Sequence, residues 1–129
     1  MNDTLRLALA LLLLAGPAAA QNCADAQSQT DMDICAGQDF TKADAALNAV
    51  YKQLMAKITP AGQASLKKAE KSWLVYRDDQ CAFNTLGSAG ASVNPMVSAT
   101  CKTALTTQQT AQLKAQLDCA EGDMSCGGQ

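Results

Sequence analysis

Three features of the sequence predict an all-α fold, a small disulfide-braced helical bundle built from a short N-terminal helix plus three longer antiparallel helices. Apolar residues recur at steps of three and four through most of the chain, the period of a helix with one buried face. Thr59-Pro60 and Asn94-Pro95 pair a capping residue with a first-position proline, so each marks a helix start. Six cysteines in 129 residues offer covalent bracing to a core of modest size.

Residues 1–20 read as a secretory signal. Leu5 to Leu14 is an apolar run broken only by Arg6, and small residues lead to an Ala-x-Ala end at Ala20. The run is too short to span a bilayer. Lipid attachment at Cys23 competes with cleavage after Ala20, but Ala20-Gln21-Asn22 lacks the small apolar pattern it needs. The exported part then divides into a helical domain, 21–118, and an acidic, Gly-rich tail, 119–129, with a local disulfide.

Thr30-Asp31-Met32-Asp33-Ile34-Cys35 has a capping start and acids in its first turn, and Gly37 is expected to stop this short helix. The second helix is expected from Thr41 to Ile58, with Thr41 as cap and Asp44 as its capping-box partner. Ala43, Leu47, Val50, Tyr51, Leu54 and Ile58 form its apolar stripe. The third starts at Thr59-Pro60 and runs to about Phe83, carrying Leu66, Ala69, Trp73, Tyr76 and Cys81; Gly62 weakens its first turn. The stretch from Ala69 to Cys81 sets Glu70, Trp73, Arg77 and Cys81 on one helical stripe, making it the central helix. An uncharged loop, 84–94, leads to a fourth helix capped by Asn94, with Val97, Cys101, Leu105, Leu113 and Leu117 at multiples of four.

Six cysteines permit fifteen pairings. Cys101 and Cys119 lie about 27 Å apart along a continuous helix and cannot pair. Helical geometry favours Cys23–Cys35, Cys81–Cys101 and Cys119–Cys126; a Cys35–Cys81 bridge is the main rival.

The net charge of −2 gives no footprint for nucleic acid, and no second apolar run predicts a membrane span. The charges are unevenly placed: 42–77 is rich in Lys, while 25–39 and 118–123 are purely acidic. Histidine is absent, Asp78 and Asp79 diverge by about 100° on a helix, and the cysteines are needed for bridges. No catalytic residue, metal ligand set or cofactor is therefore expected, and the protein does not read as an enzyme. Trp73 with Arg77 has two readings, an exposed aromatic–Arg anchor for a partner or a core aromatic with the guanidinium laid over it.

The residues also carry a family resemblance. Cys23 with Thr30-Asp31-Met32-Asp33-Ile34-Cys35-Ala36, Ala43-Asp44-Ala45-Ala46-Leu47-Asn48 with Tyr51, and Trp73-Leu74-Val75-Tyr76-Arg77-Asp78-Asp79-Gln80-Cys81 are its main motifs. Gly90-Ala91-Ser92-Val93-Asn94-Pro95-Met96 and Cys101 with Thr106 and Leu113 complete it. Together they resemble the lysozyme inhibitor LprI-like proteins of bacterial envelopes. The resemblance implies a small exported helical domain, periplasmic or secreted, with disulfides joining the first two and the next two cysteines. Asp44, Leu47, Tyr51, Trp73, Arg77 and Asp78 then stand as structural motif residues. This chain departs from the family pattern at Glu70, where Gln is usual, at Ala91, where Gly is, and at Gln109, where Arg is common.

The resemblance implies a partner, a c-type lysozyme or another muramidase, blocked by contact. Gly87, Ser88, Gly90 and Ser92 of the loop are the candidate contact residues, with acidic patches at Asp31, Asp33 and the tail steering association. The competing reading is a non-inhibitory envelope interaction module that uses the Lys-rich outer face of 42–71.

Overall fold

Ser28 opens the first helix. Its hydroxyl accepts the Asp31 N–H at 3.1 Å while the Asp31 carboxylate accepts the Ser28 N–H, a closed capping box. In the computed structural model, which describes residues 22–128, helix α1 (Gln29–Lys57) then runs unbroken for 29 residues. The expected signal segment lies outside the described residues.

This continuity corrects the expected split at Gly37. Gly37 sits inside α1 with nothing within 4 Å of where a Cβ would stand, so it costs helix propensity without ending the helix. Thr41 does not cap: its hydroxyl donates back to the Gly37 carbonyl at 2.9 Å, the in-helix use of a threonine. Asp44 accordingly has no capping-box role and accepts from Asn48 at 3.0 Å. Among the described residues, what precedes α1 is one 3₁₀ turn, Cys23–Asp25, stapled to it by Cys23–Cys35.

Helix α2 (Pro60–Asn84) begins as expected, with Thr59 accepting the Gly62 N–H at 3.3 Å and Pro60 in the first turn. Helix α3 (Asn94–Leu117) has no side-chain cap of its own. The expected Asn94 cap is replaced by one from another element: Asp33 of α1 accepts the Met96 N–H at 3.1 Å. Asn94 is the first helical residue, and its side chain turns into the preceding loop.

The chain goes up, down and up, so α1 and α3 are parallel and α2 is antiparallel to both. Asp33 meets the start of α3, and Lys57 donates to the Leu117 carbonyl at its end, 2.7 Å away. Helices α1 and α3 approach most closely, whereas α2 stands off from α1. The face that α3 turns inward is Ala99, Thr103, Thr106 and Thr110, small side chains that permit a close approach, followed by Leu113 and Leu117. The expected stripe at multiples of four drifts by about 40° per step, so Cys101, Leu105 and Gln109 turn toward α2 instead. The core is Leu47, Leu54, Ile58 and Leu113, with Val50, Tyr51, Leu66 and Trp73 packed against it.

Candidate functional site

Arg77 lies at the junction of all three helices. Only 7% exposed, it donates from Nε to Asp78 at 3.0 Å, and from Nη1 to Asp44 of α1 at 3.4 Å and Thr106 of α3 at 3.5 Å. Its guanidinium carbon lies 5.0 Å from the Phe40 ring centre and 5.3 Å from that of Trp73. A planar, weakly hydrated cation suits such a site, since its faces take aromatic rings while its edge donates. This geometry selects the core reading of the Trp73–Arg77 pair over the exposed anchor. Lys102 adds a second cation to Asp78 at 3.3 Å. Partial burial pushes the Asp78 carboxyl up, but the hydrogen bond and charge of Arg77, with those of Lys102, outweigh it and hold the group below the ordinary carboxylate range.

One helical turn beyond Arg77, Cys81 is fully buried and bonded to Cys101 of α3, with Cα atoms 5.7 Å apart. This bridge pinches the base of the 85–93 loop. Thr85 closes α2 by donating its hydroxyl to the Cys81 carbonyl at 2.7 Å, and a 3₁₀ turn, Leu86–Ser88, follows. Ser88 is half-buried; its hydroxyl donates to the Thr85 carbonyl at 2.9 Å and accepts from Asn94 at 3.0 Å. Ser88 therefore shapes the loop from inside, while Gly87, Gly90 and Ser92 are exposed. Gly90 has φ +78°, a conformation that glycine adopts without strain. Two exposed apolar side chains stand here, Phe83 at 73% just before the loop and Leu86 at 67% within it. Sequence reasoning passed over both; their only signal is a large apolar residue at the edge of an uncharged loop.

The opposite end is closed differently. Cys119–Cys126 ties a small loop, and the chain after it crosses the α1–α2 turn, where the Thr59 N–H donates to the Gly128 carbonyl at 2.7 Å. Gly62 and Gly128 meet backbone to backbone: a methyl on Gly62 would stand 2.8 Å from the Gly128 oxygen. The expected weakness at Gly62 thus has a packing reason. An apolar cleft of about 440 Å³ opens beside this contact, between Leu54, Ile58, Leu66, Ala69 and Leu113. Cys119, Asp123 and Cys126 bring their ligand atoms within 4.8 Å of one another, but the sulfurs are bonded together. Asp123 is taken by Ser125, whose backbone and hydroxyl hydrogen bonds hold its carboxyl below the usual range. This trio is not a metal ligand set, and with all three disulfides closed sulfur supplies no nucleophile.

The family model described as "Lysozyme inhibitor LprI" matches residues 19–113, which takes in the Arg77 junction, two of the disulfides and the whole 85–93 loop. The chain belongs to the LprI lysozyme-inhibitor family. An uncharacterized protein of Rhizobium meliloti (strain 1021) is 37% identical over 132 residues, covering 88% of this chain and 95% of its own. No solved structure matches. The LprI match ends before the Cys119–Cys126 tail. Gln109 and Glu70, both expected departures from the family pattern, meet across α2 and α3, Gln109 donating to Glu70 at 2.9 Å. Among the described residues, no helix is long and apolar enough to cross a membrane.

Proposed function

We propose that this protein is an extracytoplasmic inhibitor that binds a muramidase and blocks its substrate cleft with the 85–93 loop. The observation that carries the proposal is the LprI family match, which spans that loop and the bridge beneath it. Physical chemistry supports the same assignment. Muramidases work with two carboxylates flanking the scissile bond, and a loop with no charged residue from Asn84 to Val97 meets no like-charge repulsion there. Internal hydrogen bonds and the disulfide hold the loop in shape before contact, which lowers the entropy lost on binding. Asp25, Asp31 and Asp33 lie on the loop half of the bundle and favour approach to a basic enzyme. Leu86 is the apolar anchor of the contact and Ser92 its exposed hydroxyl.

The test is turbidimetric lysis of cell walls by c-type lysozyme, with the protein lacking residues 1–20 as inhibitor. Gly87→Arg and Ser92→Arg place bulk at exposed positions, and nothing lies within 4 Å of the Gly87 Cβ direction, so both variants fold. Each is expected to weaken inhibition by at least about tenfold. Undiminished lysis by a panel of muramidases in the presence of the parent protein rejects the proposal. Capture of another envelope protein without any effect on lysis moves the function to an interaction module.

A further inference from the structure

We propose that the outer face of α2 is a self-association surface on which two copies of this chain pair antiparallel. The outward stripe of α2 is unlike an ordinary solvated face. Val75 is 59% exposed and Phe83 73%, and between and beside them stand Lys68, Lys71 and Asp79. Among the described residues, Lys71 and Asp79 make no ion pair, although Arg77, Asp78 and Lys102 one face away are fully engaged.

The order of these residues is self-complementary. Lys71, Val75 and Asp79 follow one another at steps of four, the ridge that packs between neighbouring helices. A two-fold axis beside Val75 sets Val75 against Val75 and each Lys71 against Asp79 of the second copy, closing two equivalent ion pairs around an apolar centre. The same operation brings Phe83 opposite Lys68 of the second copy, whose stem and ammonium group suit an aromatic face. Lys71 and Asp79 thus each find the opposite charge on an identical patch. A basic enzyme fits this face poorly, because Lys67, Lys68 and Lys71 would oppose it. The inference does not rest on the inhibitory reading: the 85–93 loops lie beyond the shared stripe, at opposite ends of the pair.

Sedimentation equilibrium of the disulfide-intact protein lacking residues 1–20, from micromolar to millimolar concentration, tests the pairing. The weight-average mass is expected to climb from one chain toward two. Lys71→Glu and Asp79→Lys should each raise the dissociation constant about tenfold, and the double reversal should return it to within about threefold of the parent. Val75→Asp, at an exposed position, should abolish the rise. A single chain at every concentration overturns the proposal, as does association indifferent to the charge reversals or a double variant that fails to recover. Loss of lysozyme inhibition by Val75→Asp in a parent that stays single-chain also overturns it, by giving the face to the enzyme.

Discussion

At the loop end of the bundle the helices are joined by a buried guanidinium between two rings, by carboxylates, and by a disulfide. At the tail end they are joined by leucine and isoleucine packing and by two glycines in backbone contact. The contrast follows from spacing. Helix α2 stands off from α1, so at the loop end a long side chain must reach from Arg77 to Asp44 and Thr106 to connect all three helices. Near Gly62 the absence of any side chain lets the tail lie directly on the helix. An end organised by directional bonds holds a surface in one shape, and the exposed loop of the LprI domain sits at that end. The tail end, packed by burial and close approach, stabilises the body, and the loop its own disulfide ties lies outside the LprI match.

The largest expected effect comes from breaking the first of these ends. Arg77→Ala leaves Thr106, Asp44 and Asp78 without their shared donor and empties the space between Phe40 and Trp73. Because both carboxylates are about half exposed, the loss should sit at the lower end for a broken buried pair, about 3 kcal/mol by urea denaturation. Arg77→Lys should recover less than half of it, since an ammonium cannot lie flat between rings and donate along three directions.

That junction also marks where sequence reading stopped. The apolar stripe from Ala43 to Ile58 and the Thr59-Pro60 boundary were legible, because period and capping are local properties. Gly37 misled: as local punctuation it ends a helix, yet the Asp33 contact to α3 and the Cys23–Cys35 staple hold the helix through it. Phe40 carried no signal at all, since its partner is 37 positions away and no periodicity links the two. Apolar spacing likewise missed the inward threonines of α3, of which Thr106 alone was named, through the family motif. Thr106 is fully buried but polar, and a search for apolar spacing does not register it.

Removing bridges sharpens the contrast. Cys81→Ala with Cys101→Ala should cost about 3 kcal/mol and release the loop base, so the proposed inhibition of lysozyme should fall together with stability. Cys119→Ala with Cys126→Ala should cost about 1 kcal/mol or less, because the tail can undock without unfolding the body, and inhibition should be unchanged. Equal losses from the two pairs would contradict the division between the ends.

Gly62→Ala probes the tail end alone. In an isolated helix this change stabilises by up to about 1 kcal/mol. Here the added methyl strikes the Gly128 carbonyl, so the tail must lift away. Amide exchange should show the Thr59 N–H losing the protection that the Gly128 oxygen provides, while the exchange of α3 stays as it was.

Acid should produce the smallest change, and it should act at the loop end. Asp78 has its carboxyl held below the unfolded value of 3.8 by Arg77 and Lys102. A carboxyl whose folded pKa is depressed contributes stability above the unfolded pKa and loses it as pH falls through the folded one. The folded state therefore weakens on acidification below about pH 4, as Asp78 takes a proton and releases its two cations. With the side chain 50% exposed, solvent screening limits the effect to below about 1 kcal/mol. Asp78→Asn removes this titration, so the stability of the variant should fall less steeply between about pH 4 and pH 2 than that of the parent. Leu113→Ala should shift the whole curve down by about 2–4 kcal/mol without changing its slope, because no carboxyl group lies in the apolar cluster it disturbs. A slope altered equally by both variants would mean that the ionic junction and the apolar core respond to acid as one unit.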